Sequence, residues 1–350
     1  MPQSLTFNTA ALTEWLLQHL QGFSGPLQVE SFKGGPSNPT YKLITPSQTY
    51  VMRSKPGPVA KLLPSAHAIE REFAVMTGLA TTDVPVPQML CLCEDESVIG
   101  RAFYIMSFMN GRIYWDPSLP GMTRQQRGEI YNEMNRVMAA LHSVDYAAVG
   151  LASYGKPGNY FERQIGRWSK QYVASITQPI DEMDKLMAWL PEHIPAMARD
   201  PAMVSIVHGD YRMDNLVFHP TEPRVIAVLD WELSTLGHPL ADFSYHCMAW
   251  HITPGAFRGI GTLDIEAMGI PAEADYIRQY CERTGLTTPQ QLTQDWAFYM
   301  AYNLFRIAAI LQGIGKRIEA GTAASAQAIQ AAAGARPLAQ MAWDFAQRSQ

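Results

Sequence analysis

The chain has 350 residues, with 27 Lys and Arg against 32 Asp and Glu, a formal net charge of −5. Hydrophobic residues make up 47% and charged residues 17%; that balance excludes a disordered chain, and the acidic excess excludes a general nucleic-acid binder, which needs a basic field. At about 150 residues per domain, the length predicts two domains or lobes.

No run of about 18 uncharged apolar residues occurs, so no membrane span is predicted. The first residues carry Glu14 and His19 and lack a basic segment followed by an apolar one, so they do not read as a signal peptide. Cys91, Cys93, Cys247 and Cys281 match neither a zinc-site spacing nor a disulfide framework. They predict reduced thiols in a cytoplasmic protein.

The first third of the chain reads as strands. Leu27 to Phe32 is followed by Lys33-Gly34-Gly35-Pro36-Ser37-Asn38-Pro39, all turn chemistry, then by the β-type runs Thr40 to Ile44 and Thr49 to Arg53. Ser65 to Leu79 has Ile69, Phe73, Met76 and Leu79 near helical spacing. Gln88 to Cys93 and Ala102 to Phe108 read as two further strands, giving the order β-β-β-α-β-β. Past Asn110-Gly111 the pattern turns helical. In Thr123 to His142, Ile130, Met134, Val137, Met138 and Leu141 share a face, with Thr123 and Gln126 as a capping box. Trp168, Tyr172, Leu186 and Trp189 mark more helix. Val204 to Val207, Leu216 to Phe218 and Val225 to Leu229 are short strands, and from Pro239 the chain reads helical to its end. A sheet-rich lobe over residues 1–109 therefore precedes a helix-rich lobe over residues 110–350, an α+β architecture.

The chemistry sits in His208-Gly209-Asp210-Tyr211-Arg212-Met213-Asp214-Asn215 and in Leu229-Asp230-Trp231-Glu232. Asp210 and Asn215 lie on one tight loop between strands. Asp230 ends a strand that can pair with Leu216 to Phe218 through the turn Pro220-Thr221-Glu222-Pro223. Asn215 and Asp230 would then face each other across the ladder. A carboxylate oxygen and an amide oxygen suit Mg²⁺, which keeps waters and phosphate oxygens as its other ligands. Asp210 is left to orient a hydroxyl and take its proton. This is a layout for phosphoryl transfer.

These motifs resemble those of the aminoglycoside phosphotransferase and choline kinase families, which share the bilobal protein-kinase-like fold. With Gly34-Gly35-Pro36-Ser37-Asn38-Pro39-Thr40-Tyr41 and Leu236-Gly237-His238-Pro239-Leu240-Ala241-Asp242, they are most similar to the branch fused to acyl-CoA dehydrogenases. The resemblance implies a kinase that uses ATP and Mg²⁺, with Asp210 as the catalytic base and Asn215 and Asp230 as metal ligands. It places Ser37 and Asn38 at the ATP phosphates, Arg53 in the role of the family's phosphate-holding Lys with Lys55 as the alternative, and Glu72 as the partner that orients that cation. Met106 to Met109, including Phe108, would be the adenine hinge, and Arg212 would contact the γ-phosphate or the acceptor. His208 and Asp242 would orient the loop. Ser107 and His238 depart from the family pattern, which often has an acidic hinge residue and an Asp or Asn before the Pro. Tyr302 and Arg306 read either as core or as lining of the acceptor cleft.

The predicted partner is a small molecule with a hydroxyl group. The fused branch implies a hydroxyacyl-CoA, such as a 4-hydroxyacyl-CoA, and a functional link to an acyl-CoA dehydrogenase. Aminoglycoside, choline-like and sugar acceptors stay open, as does a non-catalytic domain that binds nucleotide or CoA.

Overall fold

The computed structural model describes residues 7–32, 38–56, 68–255, 258–322 and 325–348. In chain order the elements are α1 (Thr9–His19), β1 (Gln28–Ser31), β2 (Thr40–Ile44), β3 (Thr49–Ser54), α2 (Ile69–Leu79), β4 (Met89–Cys93), β5 (Phe103–Ser107), α3 (Arg124–His142), α4 (Tyr160–Ser175) and α5 (Asp181–Glu192). Then come the short strands β6 (Ser205–Val207), β7 (Leu216–Phe218), β8 (Val225–Val228) and β9 (Thr235–Gly237). The helices after them include Pro239–Cys247, Glu273–Thr284, Trp296–Glu319 and Ala335–Arg348. The predicted helix from Ser65 begins in the described residues only at Ile69, and Ser65 itself lies outside them.

Contacts divide the chain into two compact units. One is Met1–Ile113 with Asp145–Tyr154 and Asn215–Ser234; the other is Tyr114–Val144 with Gly155–Asp214 and Thr235–Gln350. The expected division at residues 109 and 110 was a single cut, whereas two later segments group with the sheet.

In the first unit five antiparallel strands run in the order β1-β2-β3-β5-β4. Side chains alternate along a strand, and both faces of β3 and β5 are covered. Tyr50, Met52, Phe103 and Ile105 pack with Leu12 and Leu16 of α1. The sequence reading assigned no element to α1, although Leu12, Leu16 and Leu20 recur at helical spacing. The other set, which includes Arg53 and Tyr104, meets α2 through Glu72. The hairpin β7–β8 belongs to the same unit, with Leu216 opposite Val228.

The second unit is built around Trp296–Glu319, whose Tyr299, Tyr302, Asn303 and Arg306 are all buried. Asn303 Nδ2 donates to the Ala241 carbonyl (3.1 Å) and to Ser244 Oγ (2.7 Å), which ties this helix to Pro239–Cys247. The helix α3 carries the expected box, in which Thr123 and Gln126 satisfy each other's backbone N–H. The strand β9 was not predicted: three residues before a proline give too little pattern to read. It pairs with β6 through Leu236 opposite Ile206. Among the described residues no helix is long and apolar enough to cross a membrane.

Two histidines here are structural. His238 Nδ1 accepts the Leu240 N–H (3.2 Å) and so caps the helix that starts at Pro239. This is the task of the Asp or Asn it replaces. Burial lowers its pKa from 6.5 to about 4, and His246, bonded to the Tyr276 hydroxyl, is likewise lowered by burial to about 4. The unfolded chain takes up protons at these sites from about pH 6.5 downward, while the folded chain resists until about 4. Their contribution is thus full above about pH 6.5 and is lost as the pH falls through that window. The urea midpoint should therefore drop between about pH 7.5 and pH 5, and His246→Gln should flatten the drop. An equal pH dependence in that variant would show that His246 is not the titrating group.

Candidate active site

In the first unit the site grows from the end of β3. Arg53 Nε lies 3.1 Å from Glu72 Oε2, and Nη2 lies 2.7 Å from Asp230 Oδ1 and 3.3 Å from Glu232 Oε2. One guanidinium fork thus gathers three carboxylates, a geometry that a point-like ammonium does not match. Glu72 is only 1% exposed and also accepts from Asn38 Nδ2 (2.8 Å) and the Tyr104 hydroxyl (3.0 Å). Burial pushes the Glu72 pKa up, and the nearby Arg53 charge only partly offsets this. Burial works against the Arg53 charge, yet Glu72, Tyr104 and Asp230 outweigh it and hold its pKa above the ordinary value. Lys55 pairs instead with Glu70. Of the two candidate cations, Arg53 is the one set against both Glu72 and Asp230.

Asp230 reaches Arg53 through a sharp turn. Its backbone is left-handed (φ 66°, ψ 58°), a region that Asp enters more readily than most residues. Trp231 Nε1 donates to the Val228 carbonyl (2.9 Å) and fixes the chain after it. Asn215 lies just before β7, and its carbonyl accepts the Leu229 N–H (2.8 Å), so Asp230 sits one residue past the position directly across from Asn215. The expectation of direct opposition is corrected by one residue, because β8 ends in this turn.

The pair offers an amide and a carboxylate, both hard oxygen donors, and the Asp230 side chain is 34% exposed. Among the described residues no group of three or more His, Cys, Asp or Glu gathers as a metal site. Two such residues fit a Mg²⁺ that keeps water or phosphate oxygens, and do not fit a closed zinc cage. Met106, buried in β5, stands opposite Val51; Phe108 follows that strand, with Lys42 Nζ 4.9 Å from its ring centre. Ser37 lies outside the described residues.

In the second unit the loop at Asp210 is anchored on both sides. Gly209 takes φ +83°, which glycine adopts without strain. The backbone N–H groups of His208 and Gly209 donate to Asp242 Oδ2 (2.7 Å) and Oδ1 (2.9 Å). Asp242 is buried, yet bonds and charge from His142 and His208 outweigh that burial and keep its pKa low. His208 Nδ1 accepts the Asp210 N–H (3.2 Å).

Arg306 is buried and donates to the Gly209 carbonyl (2.8 Å), so it braces the loop from behind and does not line a cleft. On the Asp210 carboxylate, Oδ1 receives Arg212 Nε (3.1 Å) and the Tyr245 hydroxyl. Burial, and then the Asp210 charge, drive the Tyr245 pKa well above 10. Its proton therefore stays in place to hold the carboxylate rotamer.

Tyr245 and Tyr104 escaped the sequence reading, and Glu232 stood in its motif without a role. Tyr245 lies three residues after Asp242 on one helix, so it was within reach of the motifs. Tyr104 shows itself only through the strand register opposite Arg53. Tyr245→Phe should lower kcat about tenfold, since it loosens the Asp210 carboxylate. A variant at parental kcat would remove Tyr245 from the site.

Residues 28–290 match the sequence model described as "Phosphotransferase enzyme family". The mouse protein acyl-CoA dehydrogenase family member 10 is 48% identical over 326 residues, which cover 92% of this chain but only 30% of that relative. A crystal structure from Ralstonia eutropha, described as a "putative aminoglycoside phosphotransferase", is 62% identical with a TM-score of 0.89, covering 98% of this chain and 99% of that one. Choline kinase from Cryptosporidium parvum, 12% identical with a TM-score of 0.64 over 98% of this chain and 95% of its own, shares the fold. The fold is therefore the expected protein-kinase-like one, and the chain belongs to the phosphotransferase enzyme family.

Proposed function

We propose that the chain is an ATP- and Mg²⁺-dependent kinase of a small-molecule hydroxyl, with a hydroxyacyl-CoA, such as a 4-hydroxyacyl-CoA, as its acceptor. The observation that carries the chemistry is the Asp210 carboxylate on a doubly anchored loop, held by Arg212 and Tyr245 in a chain of phosphotransferase family. Asp210 would orient the acceptor hydroxyl and take its proton as the oxygen bonds to the γ-phosphorus and the bond to the β-phosphate oxygen breaks. Asn215 and Asp230 would hold Mg²⁺, which when bound supplies charge for the phosphate oxygens. Arg53, fixed by Glu72, would hold phosphate oxygens, with Ser37 and Asn38 near them and Met106 and Phe108 at the adenine. Arg212 would offset the charge of the transferred group. Positioning and electrostatics then do most of the catalysis.

For the acceptor, two observations favour a thioester over a polycation. At the loop, the two cations Arg212 and Arg258 are matched by the two carboxylates of Asp210 and Asp214, so these four groups give no negative excess of the kind an aminoglycoside would need. The similar mouse protein is named as an acyl-CoA dehydrogenase family member, which supports a link to acyl-CoA chemistry. Labelled ATP with 4-hydroxyacyl-CoA esters, choline and kanamycin tests this. Transfer to the thioesters alone is expected, and transfer to none of them would overturn the acyl-CoA acceptor.

A further inference from the structure

The turn that carries Asp230 and Glu232 is fastened to the helix that carries Glu72 by side chains outside every motif. Helix α2, the turn Trp231–Leu233 and the segment Asp145–Tyr154 all belong to the first unit. Ser234 closes the turn: its backbone N–H (3.0 Å) and its Oγ (2.5 Å) both donate to the Trp231 carbonyl. With that hydroxyl proton committed, Ser234 Oγ is left as the acceptor for the Tyr154 hydroxyl, 2.7 Å away. Tyr154 and Ser234 are both buried, so neither hydroxyl can trade this bond for bulk water. The Tyr154 hydroxyl also lies 3.2 Å from the Arg71 carbonyl on α2. In return, Arg71 Nη2 donates to the Tyr154 carbonyl (2.8 Å) and to the Ser234 carbonyl (3.3 Å), and its guanidinium lies 4.2 Å from the Tyr154 ring centre. Three segments far apart in the sequence thus meet at one tyrosine.

Resting on the phosphotransferase reading, we propose that Tyr154 is a positioning residue of the nucleotide and metal site: through Ser234 and Arg71 it fixes the Asp230 turn against α2, and so sets where the Asp230 and Glu232 carboxylates stand relative to the Arg53–Glu72 pair. The reason lies in how each group is held. Arg53 is placed by β3 and by its ion pair with Glu72 on α2. Asp230 instead stands beyond the β7–β8 ladder, on a backbone at φ 66°. Asp230 and Glu232 share Arg53 Nη2, at 2.7 and 3.3 Å. A turn free to shift by a fraction of an ångström would change which carboxylate takes the guanidinium, and with it how much of Asp230 is open to a cation. Groups that orient a metal ligand without touching the metal are worth about tenfold or more in affinity.

Calorimetric titration of Mg-ATP into the full chain tests this without turnover. Tyr154→Phe keeps the ring on the Arg71 guanidinium and removes the hydroxyl, and Ser234→Ala removes the other end of the same bond. In chains that circular dichroism shows to be folded, each should weaken Mg-ATP binding about tenfold. The double variant should be no weaker than the single ones, because all three lack the same link. A merely structural role would lower the denaturant midpoint and leave the affinity of the folded chain unchanged. Affinity within about twofold of the parent in either folded variant overturns the proposal. So do independent effects that multiply to about a hundredfold in the double variant. Loss of the fold in both single variants would make the bond a folding element and overturn it too. A parent that binds no Mg-ATP sinks the phosphotransferase reading together with this proposal, whereas a parent that binds it while the variants match sinks the proposal alone.

Discussion

Asp210→Asn should lower kcat for phosphotransfer by about a thousandfold, within the range for losing a general base, while Mg-ATP affinity stays within about twofold. The substitution keeps the shape of the side chain. It leaves intact the anchors on either side, the His208 and Gly209 N–H groups on Asp242 and the Gly209 carbonyl on Arg306. Tyr245 can still donate to the amide oxygen, whereas Arg212 loses a charged partner. The geometry therefore survives and the proton acceptor does not. Single-turnover measurements with labelled ATP would separate the chemical step from product release. A variant within tenfold of the parent would mean that Asp210 is not the base.

Most of the fold was legible because its signals are local. The strands β2 and β3 alternate over a turn of Pro46-Ser47-Gln48, and α3 announces itself by a capping box and one apolar face. The Asp210 loop was legible for a different reason: Gly209, which takes φ +83°, and the fixed spacing from Asp210 to Asn215 form a recognisable block. What escaped depends on contacts between distant segments. Arg53 was assigned to phosphate with Glu72 as its partner, but no local pattern places Asp230, 177 residues away, and Glu232 on the same guanidinium. Arg306 was left open between core and cleft because a cation on an aromatic helix has no local partner, and the backbone carbonyl that decides for the core belongs to a loop 97 residues earlier. The Tyr245 hydroxyl is of the same kind: its helix was read, but its direction depends on how that helix packs on the loop.

Arg53→Ala should destabilise the chain by about 3–5 kcal/mol, the cost of removing one partner from a buried ion pair. The loss is large because Glu72 is 1% exposed and Arg53 supplies its cationic contact, the Asn38 and Tyr104 bonds being neutral. Arg53→Lys should recover only part of it, since an ammonium cannot reach Glu72, Asp230 and Glu232 in the fork geometry. The pH dependence gives a second signature. Burial already holds the folded Glu72 pKa above its ordinary value, and removing Arg53 raises it further. A carboxyl whose folded pKa lies above its unfolded one contributes fully below the unfolded value and gives that stability up as the pH rises through the folded value. The alanine variant should therefore regain stability relative to the parent as the pH falls from neutrality toward the ordinary carboxylate range. Adding Glu72→Gln should restore most of the loss and remove this pH dependence, because a neutral amide can still meet the Asn38 and Tyr104 side chains. Denaturant midpoints for the parent, both single variants and the double variant at two pH values supply the whole cycle. A double variant no more stable than Arg53→Ala would show that Arg53 acts on the fold chiefly through Asp230 and Glu232, and not through the buried Glu72.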